Sequence, residues 1–467
     1  MQTTLRKAMV FCAVTAPLLA AAPSTTDSTN PSRLAALTEF FTQMPKGGDI
    51  HHHYSGAMYA ETYLDWAKSK GMQLDPQTLL LVPDTAHNAI SIDSLRKNGA
   101  LQRKVLETWS DMDYRNHFET QAPPDQKFFG TFGYFGNISN VFLDSGLMEI
   151  KARAVAENVQ YIETMLKSVG YSKSDTAFDK RLDQCRTQKD TVCLDAALRS
   201  FFEATIKDAA FLPKVMSFTR LVDSIHRSID DTSFVMRFQT YVSRTGSASN
   251  VFSGLIAAFK ADSLDTLVVG VNIVGAENDF VAMRDEWLHV RMFRFLKAKY
   301  PKVNIAMHAG ELALGMVKPE DLSHHINDAV FVSRAQRIGH GVDLPYERAP
   351  KELLAAMAKS KTCVEINLTS NEFILGVSGA SHPIELYRKA GVPVVLSTDD
   401  PGVSRNNLSS EYVLLASRYG LTYKEIKTIV FNSIEYSFLS KDMKTRQTKL
   451  LAARFKAFEE KYGKQLP

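Results

Sequence analysis

Short apolar runs alternate along this chain with longer stretches in which apolar positions return at helical spacing, the pattern of repeated βα units around a parallel sheet. Eight runs read as strands: 48–53, 159–165, 214–219, 266–274, 303–309, 336–342, 362–368 and 392–398. Several of the intervening helices carry their own punctuation. Pro350 opens 351–360, Pro383 opens 384–389 with Gly391 as the stop, and Thr422 with Glu425 makes a capping box for a helix running on to Phe438. Eight strands in this order predict an α/β fold of the (β/α)8 TIM barrel type over an open doubly wound sheet. No glycine-rich dinucleotide or P-loop fingerprint follows any strand.

Two stretches break the rhythm. Residues 54–158 are far longer than an ordinary βα connection and predict a long helical lid insertion after the first strand, over the barrel mouth. The aromatic run from Phe128 to Phe135 within it could wall a substrate, although packing of a lid helix on the barrel explains most of these rings better. Residues 170–197 form a second insertion and read as a surface excursion.

At the N-terminus, Arg6 and Lys7 precede an apolar run over 8–20 and small residues through Ala22, the three-part layout of a secretory signal. The run is too short to span a membrane. The expected organisation is a signal peptide over 1–22 cleaved near Ala20 to Ala22, a leader over 23–39, and one barrel domain over 40–467. Export to the periplasm or beyond the cell follows, with no stable membrane insertion. Of the cysteines left after cleavage, Cys185 and Cys193 flank a polar stretch and can pair in an oxidising compartment or remain as two reduced thiols. Cys363 sits in a strand-like run and reads as a buried free thiol. The formal charge of +4 is spread without a Lys/Arg block, so no nucleic-acid partner is expected. The oligomeric state is not legible.

Chemistry gathers at the ends of the expected strands, where a (β/α)8 barrel builds its active site. In His51-His52-His53 the period of two sends His51 and His53 to one face, able to share a metal, and leaves His52 to pack outward. His308-Ala309-Gly310-Glu311 brings a third imidazole and, after a glycine turn, a carboxylate. His340 lies between Gly339 and Gly341, which suits a proton-handling group beside a metal-bound water. Asp399 and Asp400 close the last strand; two adjacent carboxylates in a closed site call for a cation, with Asp399 completing the metal shell and Asp400 facing the substrate.

In that order, H-x-H, H-A-G-E, G-H-G and S-T-D-D-P resemble the adenosine deaminase family over about residues 40–440, and Met44-Pro45-Lys46-Gly47 is similar to its secreted adenosine deaminase-related growth factor branch. The resemblance implies one Zn2+ per chain held by His51, His53, His308 and Asp399. It also implies Glu311 as proton donor to the purine N1, His340 beside the attacking water, and Asp400 and the Gly275 backbone as contacts to the base. The implied reaction is hydrolytic deamination of adenosine and 2′-deoxyadenosine, with ammonia as second product. One departure concerns ribose: the better-known cytosolic members carry an acidic residue two positions after H-x-H, where this chain has Ser55, a weaker partner for a hydroxyl.

Three alternatives stand beside that reading. Adenine or another 6-aminopurine could be the substrate. A binuclear amidohydrolase needs a bridging lysine at the fourth strand, where Gly275 stands instead. A non-catalytic nucleoside-binding protein would be expected to have lost a ligand or the proton donor, and all are present.

Overall fold

The computed structural model describes residues 30–116 and 120–463. The expected signal peptide, 1–22, lies outside the described residues. Eight parallel strands form the centre: β1 (Gly47–His53), β2 (Val159–Met165), β3 (Val235–Ser243), β4 (Val268–Val274), β5 (Ala306–Ala309), β6 (Arg337–His340), β7 (Cys363–Ile366) and β8 (Val394–Leu396). They pair in sequence order as β1-β2-β3-β4 and β5-β6-β7-β8. Single parallel bridges, Val271 to Ile305 and His52 to Asp399, join the two halves at both edges. The chain is a (β/α)8 TIM barrel, with helices covering strands that are largely buried.

The third strand departs from expectation. Residues 214–219 belong to the helix Phe211–His226, whose buried Phe211, Val215, Phe218, Val222 and Ile225 repeat at helical spacing. The strand itself, Val235–Ser243, carries Arg237 and Gln239 in its middle, and these polar residues hide it among apolar runs. The stretch 170–197 is likewise no surface excursion. It supplies the helix Thr176–Thr187 and the first turns of Thr191–Ile206, two packed helices that bury Leu182, Leu194 and Leu198. Their ends are tied by the disulfide Cys185–Cys193. Cys363 is a buried free thiol.

The leader expected over 23–39 includes part of a packed helix. Asn30 caps Pro31–Gln43 through the amides of Ser32 and Arg33, and Leu37, Phe40 and Phe41 are buried. Behind it, buried Lys46 donates to the carbonyls of Met44 (3.0 Å) and Glu157 (2.6 Å), fixing the entrance to β1. Helix punctuation agrees elsewhere: Pro350–Ser360, Ile384–Lys389 and the Thr422/Glu425 capping box are all present.

Residues 54–158 are mainly helical and add a small antiparallel sheet, Gln73–Leu74 with Leu81–Val82 and Ile90–Ser91. Contacts to the segments that follow β4, β7 and β8 place this insertion over the C-terminal end of the barrel. Asn278 donates to Asp125 (2.8 Å), Arg115 pairs with Glu372 (2.7 Å), and the Asp111 amide donates to the Val403 carbonyl (2.9 Å). Within the lid helix Pro124–Ser139, Phe128 and Phe135 are buried, and Phe135 stacks on Tyr63 at 4.6 Å. Phe129 and Phe132 stay half-buried. Most of these rings therefore pack the lid. Among the described residues, no helix is long and apolar enough to cross a membrane.

Candidate active site

Three imidazoles and one carboxylate meet at the C-terminal rim. The Nε2 atoms of His53 and His308 stand 3.2 Å apart, and Asp399 Oδ1 lies 3.4 Å from His51 Nε2 and 3.3 Å from His53 Nε2. Backbone pairing creates this convergence. The Asp399 amide donates to the His51 carbonyl (3.0 Å) and the His53 amide to the Asp399 carbonyl (2.9 Å), so β1 and the end of β8 present their side chains to one point. His52 faces away, buried with Nδ1 3.0 Å from the Thr164 hydroxyl.

These four residues fit a metal ion. Their donor atoms lie within 4.8 Å of one another, and buried His51 Nε2 has no hydrogen-bond partner. The opposite ring nitrogens are already engaged: His51 Nδ1 with Glu365 (2.5 Å) and His308 Nδ1 with Asn272 (2.9 Å). That leaves both Nε2 atoms for an ion. Burial disfavours charge on His51, yet Asp399 and Glu365 outweigh it and push its pKa up to about 10. Burial pulls the pKa of His53 down to about 4 and that of His308 well below the usual range. Asp399 and Glu365 thus favour positive charge at this point, while burial holds His53 and His308 toward the neutral form that metal ligands take.

Glu311 and His340 stand beside this cluster, with His340 Nε2 3.6 Å from Glu311 Oε1 and 4.0 Å from Asp399 Oδ2. Burial, then the Asp399 and Glu277 charges, raise the Glu311 pKa well above the usual carboxylate range. Burial likewise holds His340 neutral, with its pKa near 3. Its Nδ1 lies 2.9 Å from the Asn371 amide nitrogen. Both His340 (φ 69°) and Asp399 (φ 66°) occupy left-handed backbone that non-glycine residues rarely adopt. Gly339 is required for close approach, because a Cβ there would come within 2.7 Å of the His51 ring. Gly310, at φ 75°, would meet Asp343 Oδ1 at 2.4 Å.

Asp400 is buried, its Oδ1 lacks a partner, and its carboxyl fills the space beside Gly56. Burial and then Asp399 raise its pKa well above the usual range. Ser55 is half-buried in the short helix Tyr54–Ala57 directly after His53. Gly275 directly follows β4, at φ 98°.

The family model described as adenosine deaminase matches residues 201–453, more than half of the chain. The chain belongs to the adenosine deaminase family. It is 28% identical over 267 residues to an adenosine deaminase from Yersinia pseudotuberculosis, covering 56% of this chain and 75% of that protein. Its fold is similar to the N6-methyl-AMP deaminase of Arabidopsis thaliana, with a TM-score of 0.57 at 17% identity over 89% of this chain and 98% of the other. A zinc-bound amidohydrolase from Burkholderia ambifaria is similar at a TM-score of 0.54 and 17% identity, covering 92% and 95% of the two chains.

In this adenosine deaminase family member, several supporting residues escape the motifs. Glu277 accepts from the amides of Gly310 (3.2 Å) and Glu311 (2.7 Å), and so holds the turn that carries Glu311. Burial opposes its charge, but Arg244 and His325 outweigh that and bring its pKa down to about 2. Arg244 also donates to the His308 carbonyl (2.6 Å). Beneath the rim, Arg337 donates to Glu365 (2.5 Å) and Glu163 (2.5 Å), and Asn272 donates to Gln239 (3.0 Å). A charged residue inside an apolar strand, such as Glu365 in Cys363–Ile366, is the sequence signal that could have found them.

Proposed function

We propose that the protein hydrolytically deaminates adenosine and 2′-deoxyadenosine using one bound zinc ion. The observation that carries the reading is the convergence of His51, His53, His308 and Asp399 with Glu311 and His340 on the adjoining side of the same point. Zinc held there supplies Lewis acidity and lowers the pKa of water toward ~7. A likeness in fold to a zinc-bound amidohydrolase supports that metal.

The chain's own residues divide the remaining work. Glu311, kept protonated by burial, gives its proton to the purine N1 and makes C6 electrophilic. Asp399 directs Oδ1 to the imidazoles and Oδ2 toward His340, with Oδ2 also accepting from the Ser370 hydroxyl (2.6 Å). That second oxygen and His340 Nε2 orient the attacking water and take up its proton. Asp400, protonated, donates to the base, and the Gly275 amide supplies a further contact. C6 gains oxygen and loses ammonia, giving inosine or 2′-deoxyinosine.

A second reading, deamination of adenine or another 6-aminopurine derivative, is favoured by Ser55, which puts no carboxylate where ribose is expected. The layout of residues 1–22 and the Cys185–Cys193 disulfide support an exported protein. The segment Met44 to Gly47 supports placement near the secreted growth-factor branch. Incubation of zinc-replete protein with adenosine, 2′-deoxyadenosine, adenine and AMP, followed by ultraviolet absorbance with a chelated control, tests the proposal. Chelator-sensitive loss of the nucleosides is expected. Turnover of adenine or AMP alone moves the substrate, and silence on all four rejects the activity.

A further inference from the structure

Outside the strand-end cluster, Glu286, His324 and Asp328 bring three potential metal ligands together, with donor atoms within 4.8 Å of one another. Glu286 stands on the helix Phe280–Lys299 that follows β4, whereas His324 and Asp328 come from the connection between β5 and β6. The latter two are four residues apart, and the Asp328 amide donates to the His324 carbonyl at 2.8 Å. One helical turn therefore points both side chains the same way.

Geometry and solvation both point to a cation. Glu286 Oε2 lies 3.6 Å from His324 Nε2. Two donors at ~2.0–2.1 Å on a tetrahedral zinc are separated by roughly 3.3 Å, so only a small adjustment closes the site. Glu286 is only 9% exposed, and its Oε1 is buried without any hydrogen-bond partner. A carboxylate oxygen that has lost water and gained no donor is costly, and a bound cation offsets that cost. His324 remains 26% exposed at its side chain, which leaves a way in from solvent.

Arg291 on the same helix is the obvious competing cation. Its charge acts on both Asp328 and Glu286, but its guanidinium is stacked 4.1 Å over the Trp287 ring and Nη1 donates to the Trp287 carbonyl at 3.0 Å. We propose that Glu286, His324 and Asp328 form a second divalent-cation site, separate from the strand-end cluster and suited to a borderline transition ion such as zinc. One imidazole with two carboxylates matches that class better than calcium, which takes six to eight oxygens. The site adjoins the catalytic turn: the His324 and His325 rings are 4.9 Å apart, and His325 Nδ1 lies 2.6 Å from Glu277.

The test counts metal per chain after zinc-replete protein is dialysed against graded free zinc. Wild type takes up a second equivalent after the first, and the double variant Glu286→Gln/His324→Gln retains only the first. A wild type that stops at one equivalent, or a folded double variant that still takes two, overturns the assignment. Should the double variant not fold, anomalous scattering from zinc-soaked wild-type crystals decides. A peak between Glu286, His324 and Asp328 supports the site, and bare density there rejects it.

Discussion

At the barrel rim, His51, His53, His308 and Asp399 crowd nitrogen and oxygen acceptors to within 3.2–3.4 Å, and buried His51 Nε2 is left without a hydrogen-bond partner. Just beneath, Glu163, Gln239, Asn272, Arg337 and Glu365 are equally buried, yet none of their side-chain nitrogens or oxygens is without a partner. Glu163 alone accepts from Gln239 (3.0 Å), Arg337 (2.5 Å), Tyr161 (2.8 Å) and the Phe438 amide (2.9 Å). The contrast separates two uses of buried polarity. The lower layer satisfies its own polar groups and fixes ring orientation, whereas the rim leaves a buried ring nitrogen unpartnered beside a carboxylate, an arrangement that suits a cation.

The largest expected effect comes from removing chemistry at the rim while sparing its ligands. Glu311→Gln is expected to keep zinc and to lower kcat by about 10²–10⁴-fold, the usual worth of a positioned general acid. Metal content measured beside turnover checks both halves, and normal turnover in a zinc-loaded variant would remove Glu311 from its role.

Breaking the lower layer should act on stability first. Arg337→Met leaves the Glu163 and Glu365 carboxylates buried without their shared partner, a change worth about 3–5 kcal/mol of destabilisation. Urea unfolding measures it. A loss under about 0.5 kcal/mol, typical of a neutral surface change, would show that the layer is not an integrated network.

A milder substitution tests the link between layers. Glu365→Gln weakens the partner of His51 Nδ1 without emptying its space, and metal affinity is expected to fall by about 10–100-fold. Competition with a zinc chelator reads the shift. Unchanged affinity would mean that β1 geometry alone orients His51.

The same contrast explains what could be read from the sequence. Rim residues arrive in short local motifs at the strand ends, so the sequence alone singles out His51, His53, His308, Glu311, His340 and Asp399, which the fold brings together. The lower layer contributes single polar residues to otherwise apolar strands, so no local spacing announces it. The same polarity disguises β3: Arg237 and Gln239 interrupt Val235–Ser243, while the amphipathic helix Phe211–His226 contains a short apolar stretch at 214–219 that imitates a strand. Glu277 was missed for a different reason. Its carboxylate works on backbone amides 33 and 34 residues away, a pairing that only the fold creates.

The smallest effect should appear at the border of the two regions, where His325 holds Glu277 and Glu277 holds the Glu311 turn. Burial disfavours charge on His325, but Glu277 at 2.6 Å outweighs it, with Glu286 and Asp343 adding to the pull, and its pKa rises from 6.5 to about 9. A raised pKa means the folded state binds the proton more tightly than the unfolded chain. The resulting stability is fully present below pH 6.5 and is lost as pH rises through about 9. Loss of about 1–3 kcal/mol is expected across that window, with a fall in Tm of several degrees. In His325→Gln the ring that titrates is gone, so this alkaline component of the Tm profile should flatten while the acid limb, governed by carboxylates such as Glu277, persists. Identical alkaline slopes in the two proteins would mean that the His325 charge contributes nothing to holding the turn.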